Sequence, residues 1–336
     1  MSRGRVVVTG ASGFTGLHAC AHLAALGYDV TAVLRRPGSA ARIAAEAAAA
    51  GHGVIRERAL DLSDRSAVLE LLEQEKPDGL LHLAGLNAVG PSWQQPITYM
   101  QLNVMSTLYL LDGLRQLGLT GCRTLIVGSM LGCRLRDDET PKPPHPYSLS
   151  KTLQALTAAA WGQLFGLHVS LALPSNLIGP GASNGICGLI GAHIAGWERA
   201  GEGAPFRLSS LAEARDFVDV RDAVRAYGLI LEQGEPGVSY PIGSGRLRTL
   251  GEIARQFEQA AQTPVSWRIG MEEGSASQPI RLTELSGETA DALKAAGASA
   301  VNMAPMRALG WEPVIAFGQS VADILGYHRT AAALDS

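Results

Sequence analysis

The segment HPYSLSK, which runs from His145 to Lys151, contains a tyrosine and a lysine four residues apart. The pattern predicts a helix that begins near Pro146, so the side chains of Tyr147 and Lys151 project from one face about one turn apart. An ammonium group beside a phenol lowers the phenol's pKa, and such a tyrosine can exchange a proton with a substrate oxygen. Chance gives this spacing in only about 0.08 of chains with this content of tyrosine and lysine. The alternative is a half-buried aromatic side chain that packs at a helix start.

A glycine-rich turn near the start of the chain predicts a nucleotide site. In VVVTGASGFTG, Gly10, Gly13 and Gly16 follow a predicted strand, RVVV (5–8), and open a helix. Glycines permit a tight turn and a close approach of the main chain, while the helix amino terminus offers free N–H groups to a diphosphate. We therefore expect a dinucleotide cofactor. The alternative is an ordinary strand-to-helix turn.

The end of the second predicted strand, DVTAVL (29–34), indicates which cofactor to expect. A site for NAD usually offers an acidic side chain at this point to the ribose hydroxyls, whereas this chain has Arg35 and Arg36. Because guanidinium groups favour a 2′-phosphate, we expect NADP(H) rather than NAD. For either residue taken singly, the alternative is a surface arginine at a strand end.

The elements along the chain predict an α/β fold with a Rossmann-type, doubly wound parallel sheet. Apolar strands at GVIRERAL, DGLLHLAG, CRTLIVGS and HVSLALP alternate with segments long enough for helices, and the Ala-rich segment 39–50 has high helix propensity. After Pro174 the alternation loosens into segments rich in Gly, Ser and Ala. We expect residues 1–173, joined by 216–245, to form an NADP-binding domain. Residues 174–215 and 246–336 form a smaller C-terminal substrate-binding α/β cap.

Composition and charge exclude several classes of function. A net charge of -3 without blocks of like charge gives no footprint for nucleic acid or an anionic membrane surface. No apolar run is long enough to span a bilayer, and four cysteines without a CxxC spacing favour a reducing cytoplasm. His18 and His22 lie four apart, but no third ligand accompanies them, so we expect no metal site. A small molecule is the expected partner.

Several motifs occur together and in order: the three glycines, Asp61-Leu62, HLAG (82–85), Ser129, YSLSK and RDFVDVRDAVRAY (215–227). With them, the chain resembles an extended short-chain dehydrogenase/reductase over nearly its full length. VGPSW (89–93), PSNLIGPG (174–181) and the RDFVDVRDAVRAY segment are most similar to the branch of GDP-4-keto-6-deoxy-mannose reductases and GDP-mannose 4,6-dehydratases.

The resemblance implies a role for each matching residue. Tyr147 exchanges a proton with the substrate, its pKa lowered by Lys151 and by the oxidised nicotinamide; Lys151 holds the nicotinamide ribose, and Ser129 bonds the reacting oxygen. The residues expected to bind the cofactor are Gly10, Ser12, Gly13, Phe14, Gly16, Arg35, Arg36, Asp61, Leu62, Leu83, Ala84, Gly85, Lys151 and Pro174. Those expected to bind the substrate are Val89, Ser92, Ser129, Met130, Asn176 and Arg215.

Each of these roles has a structural alternative. Ser129 is also a strand-end hydroxyl that satisfies the main chain, and Val89 and Ser92 are also residues that pack in a loop. Arg215, expected to grip the diphosphate, has a salt bridge to Asp216 or Asp219 as its alternative.

Residues that the chain lacks narrow the expected reaction. In the 4,6-dehydratases an acidic residue closely follows the catalytic hydroxyl residue, and in the epimerising reductases a cysteine lies two positions after the serine. Here Ser129 is followed by Met130, Leu131, Gly132 and Cys133. The chain also departs from its branch at Leu173 and Ser175, and only Lys294 is basic where a second phosphate-binding arginine is usual. These departures place the guanine nucleotide in question.

The sequence therefore predicts an NADP(H)-dependent oxidoreductase that reduces the 4-keto group of a nucleotide-activated 6-deoxy sugar. An NAD-dependent nucleotide-sugar 4-epimerase is the enzymatic alternative, and a non-catalytic NADP-sensing protein is the alternative of another class. We also expect a homodimer through the predicted helices 97–117 and 147–165, where the small side chains of the second helix permit close approach.

Overall fold

The computed structural model describes residues 2–35, 54–133, 140–201, 203–270, 280–282 and 301–334. The chain divides into two compact units. The first comprises Met1–Pro174, Ala223–Ile242 and Met303–Glu312, and the second comprises Ser175–Asp222, Gly243–Asn302 and Pro313–Ser336. The segment that returns to the first unit is thus shorter than the predicted 216–245. In addition, Met303–Glu312 belongs to the first unit, because its helix packs against a strand of that unit's sheet.

The first unit is built on a seven-stranded parallel sheet, as the sequence predicts. Its strands are Arg5–Thr9 (β1), Asp29–Leu34 (β2), Ile55–Ala59 (β3), Gly79–His82 (β4), Arg123–Val127 (β5), Val169–Pro174 (β6) and Ser239–Ile242 (β10). Their order across the sheet is β10-β6-β5-β4-β1-β2-β3, and every pairing is parallel. The order reverses next to β1, so the carboxyl ends of β1 and β4 form the crevice in which such sheets bind ligands. The Rossmann-type fold is confirmed.

Helices flank this sheet. The helical segments of the first unit are Phe14–Ala25 (α1), Arg65–Glu75 (α2), Val89–Gln94 (α3), Pro96–Tyr99 (α4), the π-helical Met100–Met105, Ser106–Gln116 (α5), Pro146–Phe165 (α6), Ala304–Ala308 (α10) and, from Ala223 onward, Val220–Gln233 (α8). The Ala-rich segment 39–50 lies outside the described residues. The predicted helix over 97–117 is a continuous helical stretch that changes hydrogen-bond pattern twice.

Local sequence explains where α6, the helix that carries the YSLSK segment, begins and ends. Pro146 occupies its first position, where a missing N–H costs nothing, and His145 caps it by accepting a hydrogen bond from the Ser148 N–H at 2.9 Å. Gly166 ends the helix with a φ of 63°, a conformation that favours glycine. Tyr147 and Lys151 therefore lie in the first two turns of a well-defined helix.

The second unit has its own core and two small sheets. Its strands are Asn176–Ile178 (β7), Phe206–Leu208 (β8), Ala214–Asp219 (β9), Leu247–Thr249 (β11) and Trp267–Ile269 (β12), and its helices are Ile186–Ala200 (α7), Leu250–Ala260 (α9) and Phe317–Leu334 (α11). β11 pairs antiparallel with β9, β9 pairs parallel with β7, and β12 pairs parallel with β8. Trp267, Phe257 and Ile324 lie in its buried core. In the part of the chain that the structure describes, no helix is long and apolar enough to cross a membrane.

Candidate active site

The glycine-rich turn brings the main chain very close to the start of the segment after β4. Gly10 follows β1 with a φ of 71°, and a Cβ there would lie 2.7 Å from the Ala84 nitrogen. A Cβ on Gly16 would overlap the Gly10 carbonyl oxygen and the main chain of Ala11. At Gly13 the nearest atom would be 3.2 Å away. Gly10 and Gly16 are therefore required by the backbone itself, whereas a Cβ on Gly13 would make a tight contact with the Gly10 carbonyl oxygen without overlapping it.

The amino terminus of α1 fits the diphosphate of a dinucleotide. Its cap residue is Gly13, and no side chain accepts a hydrogen bond from the first-turn N–H groups. Gly13 and Ser12 are exposed, so this end of the helix is open. Phe14 contacts His18 edge-on, with ring centroids 5.8 Å apart. Free N–H groups and the positive end of the helix dipole favour a bound anion here.

Arg35 and Asp61 lie at the next two strand ends. Arg35 is exposed after β2, and its charge contributes to a lowered pKa of the exposed Asp61, whose main cause is hydrogen bonding from Ser63. Leu62 is half-buried beside Asp61. Arg36 lies outside the described residues. An exposed guanidinium at this strand end is free to meet a 2′-phosphate.

The HLAG segment leads from β4 towards the catalytic candidates. The Leu83 N–H donates to the Thr9 carbonyl at 3.2 Å, which keeps this segment against the glycine turn. Gly85 has a φ of 155°, and a Cβ there would lie 2.7 Å from Asn103 Oδ1 and 3.7 Å from Lys151 Nζ. Leu83, Ala84 and Gly85 thus connect the nucleotide turn with the lysine of α6.

Ser129 and Tyr147 are hydrogen-bonded through their side chains. Ser129 follows β5, and its hydroxyl also accepts a hydrogen bond from the Leu131 N–H at 3.1 Å. The Tyr147 ring is buried, stacked on His145 and edge-on to Tyr99, with centroids 5.9 and 6.2 Å away. Two hydroxyl groups from separate elements therefore meet at one point, where a substrate oxygen can accept from both.

The expectation that the protein lowers the pKa of Tyr147 is wrong for the chain itself. Burial raises the pKa of Tyr147 above its ordinary value, the hydrogen bond with Ser129 lowers it, and Tyr99 raises it again. Burial prevails because a phenolate in this apolar surrounding loses its hydration. The contribution of the oxidised nicotinamide to this pKa stays a prediction. At neutral pH the tyrosine is therefore a protonated donor.

Lys151 is buried, and its ammonium group has two hydrogen-bond acceptors. Nζ donates to the Val127 carbonyl at 3.1 Å and to Gln154 Oε1 at 2.8 Å. Burial lowers the pKa of Lys151 to about 8, because its charge has lost most of its hydration. The lysine therefore loses its proton at a pH only slightly above the physiological range.

A chain of buried polar groups, absent from the sequence-based expectation, extends from this lysine. Gln154 Nε2 donates to Thr107 Oγ1 at 2.9 Å, Thr107 Oγ1 lies 2.9 Å from His82 Nε2, and His82 Nδ1 lies 2.7 Å from Thr9 Oγ1. Burial, followed by the charge of Lys151, lowers the pKa of His82 to about 3, so this histidine is neutral. The signal for Gln154 was its position three residues after Lys151, on the same helix face. Thr9, His82 and Thr107 come together only through the sheet.

The remaining candidates of the first unit surround the Ser129 loop. Met130 is exposed, and its N–H is 3.5 Å from the carbonyl of the buried Pro174. Val89 is exposed, whereas Ser92 is fully buried and its hydroxyl donates to the Val89 carbonyl at 2.6 Å. Val89 and Met130 are thus available to a ligand, while the Ser92 hydroxyl is engaged within α3.

Asn176 and Arg215 belong to the second unit. Asn176 Nδ2 donates to the Asp216 carbonyl at 2.8 Å. Arg215 pairs with Glu213, and the alternative of a salt bridge to Asp216 or Asp219 is wrong. Those two carboxylates have other partners: the hydroxyls of Ser175 and Ser244 donate to Asp216, and Arg221 with Ser320 donates to Asp219. Since both partners of the Arg215–Glu213 pair are partly exposed, this pair is weak enough for an anionic ligand to replace.

The comparisons with known proteins agree with this geometry. The sequence profile of the NAD dependent epimerase/dehydratase family matches residues 6–243. The chain is 29% identical over 266 residues to a GDP-6-deoxy-D-mannose reductase of Pseudomonas aeruginosa, covering 77% of this chain and 80% of that protein. It is 24% identical to a UDP-glucose 4-epimerase of Yersinia pestis, covering 95% of each. The solved structure of RMD from Pseudomonas aeruginosa complexed with NADPH superposes with a TM-score of 0.74 and 25% identity, covering 97% of this chain and 99% of that one.

The chain therefore belongs to the NAD dependent epimerase/dehydratase family, within the extended short-chain dehydrogenase/reductases. It is an NAD(P)-dependent oxidoreductase of that type, similar to enzymes that act on nucleotide sugars. Its relatives include reductases, dehydratases and epimerases, which share the fold and differ in reaction.

Replacement of Gly16 by alanine tests the glycine turn. We expect Gly16→Ala to lower the free energy of unfolding by roughly 1–3 kcal/mol, because its Cβ overlaps the main chain, and to abolish NADPH binding. Gly13→Ala is the matched control and should destabilise the protein less than Gly16→Ala, because its Cβ would lie 3.2 Å from the Gly10 carbonyl oxygen and need only a small shift. Denaturant titration and NADPH fluorescence measure both quantities. A Gly16→Ala protein with native stability and affinity would contradict the account.

The lowered pKa of Lys151 predicts a pH dependence of cofactor binding. Below about pH 8 the buried amine is protonated and can hold the nicotinamide ribose, and above that pH the charge is lost. We expect the Kd for NADPH to rise as the pH increases from 7 to 9, on the order of tenfold per unit at the steepest. Lys151→Met should bind more weakly without this dependence. An identical pH profile in both proteins would assign the titration to another group.

Proposed function

We propose that this protein uses NADPH to reduce the 4-keto group of a nucleotide-activated 6-deoxy sugar. The observation that carries the proposal is the buried, protonated Tyr147 hydrogen-bonded to Ser129, in a chain 29% identical to a GDP-6-deoxy-D-mannose reductase. A raised phenol pKa suits reduction, since the tyrosine has to begin as a proton donor. An oxidation would require the phenolate at the outset.

The residues of the chain divide the work as follows. The Gly10–Gly16 turn at α1 and Arg35 would hold NADPH. When bound, it would supply hydride to the carbonyl carbon of the substrate. Tyr147 donates its phenolic proton to the carbonyl oxygen, so the C=O bond becomes an alcohol. Ser129 donates a second hydrogen bond to the same oxygen and stabilises its developing negative charge. Lys151 is held by Val127 and Gln154, and in this proposal its positive charge stabilises the phenolate that results.

NADPH is proposed over NADH because Arg35 stands exposed at the end of β2. The structure of RMD from Pseudomonas aeruginosa, which resembles this chain over 97% of its length, contains NADPH. A guanidinium at this position favours a phosphorylated ribose. Other structures of similar fold contain NAD, so the choice depends on Arg35 and on Arg36, which lies outside the described residues.

The substrate class is proposed from the relatives and from the loop after Ser129. Met130 and Leu131 are exposed there, and neither supplies the acid that a dehydratase needs to eliminate water. Val89 and Met130 are the candidates for sugar contacts, and Asn176 and Arg215 those for the nucleotide. None of the four cysteines forms a disulfide, which supports the further proposal of a reducing cytoplasmic location.

A nucleotide-sugar 4-epimerase is the second candidate. It is favoured by the similarity to a UDP-glucose 4-epimerase over 95% of the chain, and by the NAD-bound epimerase structures with the same fold. An epimerase retains its cofactor through an oxidation and a reduction, so NAD would copurify with the protein. If the purified protein contains no NAD and oxidises NADPH in a net reaction, the reductase is favoured.

We further propose a homodimer through the predicted helical segments 97–117 and 147–165. The surface of these segments carries large apolar side chains: Ile97, Met105, Leu156, Leu164 and Phe165 are exposed, with Leu164 at 70% and Ile97 at 68%. Apolar side chains of this number on two helices of one unit support burial against a second copy.

The proton donor is tested by Tyr147→Phe. With a panel of nucleotide 4-keto sugars, kcat for NADPH oxidation should fall about 10²–10⁴-fold while KM changes little, because the ring still packs and only the proton is lost. Tyr28→Phe is the matched control, since its hydroxyl contacts Glu232 and should not affect the rate. Full activity in Tyr147→Phe would refute the mechanism. No turnover by the native protein would refute the substrate class.

The dimer is tested by Leu164→Glu. Light scattering at micromolar concentration should give a dimer for the native protein and a monomer for this variant, because a buried unpaired carboxylate opposes association. Val314→Glu places the same charge on an equally exposed residue of the second unit and should remain dimeric. A native protein that scatters as a monomer would exclude the interface.

A further inference from the structure

The second unit contains a cavity of about 340 Å³ whose wall carries three arginines. Arg246 precedes β11, Arg248 lies on β11, and Arg255 lies on α9. Glu252 and Phe317 also line the cavity, and we refer to it as the arginine cavity. None of these residues belongs to the site described above.

The elements that carry these arginines are fixed relative to each other by a capping box. Thr249 ends β11 and begins α9: its hydroxyl accepts from the Glu252 N–H at 3.1 Å, and its own N–H donates to Glu252 Oε2 at 2.7 Å. This reciprocal pair stabilises the helix start and places Arg248 and Arg255 at a defined separation. One carboxylate oxygen of Glu252, the acidic residue in the cavity wall, is thus already engaged by the Thr249 N–H.

Among the described lining residues of the arginine cavity, three arginines stand against one acidic residue, Glu252. Among the described residues, none of the three arginines forms an ion pair. The Arg248 guanidinium lies over the Phe317 ring, 4.6 Å from its centroid, and its Nη1 is buried without a hydrogen-bond partner. Burial, followed by the charge of Arg246, lowers the pKa of Arg248, and the charges of Asp216 and Glu252 oppose this. A buried guanidinium nitrogen without an acceptor is costly unless a ligand supplies one.

The neighbouring strand adds a fourth cation on the same sheet face. Arg215 on β9 is directly opposite Arg248 on β11 in the antiparallel pair. Directly opposite residues project from the same face, with their Cβ atoms about 5 Å apart. Two adjacent arginines on rigid strands repel each other unless an anion lies between them. Of these two arginines, Arg215 alone has a carboxylate partner among the residues that the structure describes, and that partner is Glu213.

From this cluster we propose that the arginine cavity binds the diphosphate group of a ligand. Guanidinium groups present paired N–H donors that match phosphate oxygens, and three of them around one cavity suit a group with more than one negative charge. The exposed Arg246 provides entry from solvent, and the unpartnered Nη1 of Arg248 provides a buried donor. The proposal does not depend on the reductase activity. The diphosphate belongs either to the nucleotide sugar or to a separate nucleotide that regulates the enzyme.

Calorimetric titration of inorganic pyrophosphate into the NADPH-saturated protein tests the site directly. Saturation with NADPH occupies the α1 turn, so pyrophosphate cannot bind there. We expect saturable binding that weakens with ionic strength, and a loss of affinity of roughly tenfold or more in Arg248→Met. Arg246→Gln, an exposed change that does not threaten folding, should weaken binding in the same direction. Arg207→Met, which removes an exposed charge elsewhere in the second unit, is the matched control.

The result decides both the site and the source of the ligand. If pyrophosphate does not bind, or binds equally to the native protein, Arg248→Met and Arg246→Gln, the proposal is overturned. If it binds and Arg248→Met also raises KM for the nucleotide sugar, the diphosphate is that of the substrate. If it binds without any change in that KM, the ligand is a separate nucleotide. Because the titration needs no turnover, it gives an answer even if the proposed reaction is wrong.

Discussion

The first unit has to provide hydrogen-bond acceptors for one buried ammonium group, that of Lys151. Lys151 loses its hydration inside the fold, so the unit has to supply acceptors for its protons, and it does so with the Val127 carbonyl and the Gln154 amide. Gln154 is in turn oriented by Thr107, which contacts the neutral His82, and His82 contacts Thr9 at the end of β1. The position of the lysine is thereby tied to the strand that carries the nucleotide turn.

This arrangement explains how one unit can hold a cofactor and present a proton donor. Gly10 approaches Ala84 so closely that no side chain fits, and Gly85 does the same at Asn103. The main chain after β4 is therefore held between the cofactor turn and α6. Ser129 and Tyr147 are hydrogen-bonded to each other, and burial keeps the tyrosine protonated. A protonated tyrosine is the form that the proposed reduction needs at its start, because the tyrosine has to donate the proton.

Much of the first unit could be predicted from the sequence, because its signals are local. Short apolar strands, the spacing of three glycines and the i, i+4 pair on α6 need no knowledge of distant residues, and the strand order agrees with the alternation along the chain. The raised pKa of Tyr147 could not be predicted, since it depends on how deeply Tyr99 and His145 bury the ring. The Thr9–His82–Thr107 chain and the arginine cavity were missed for the same reason. Arg36, Lys294 and segment 39–50 lie outside the described residues.

The central claim is a net reduction in which hydride comes from NADPH and the proton from the protein. Its most direct test is a single reaction of a nucleotide 4-keto-6-deoxy sugar with NADPH that carries deuterium at the transferable C4 position, followed by mass spectrometry and NMR of the sugar. The account predicts one deuterium on the former carbonyl carbon and one NADP⁺ formed for each product molecule. A product without deuterium, formed while NADPH is not consumed, would contradict it and identify the protein as an enzyme that recycles its cofactor.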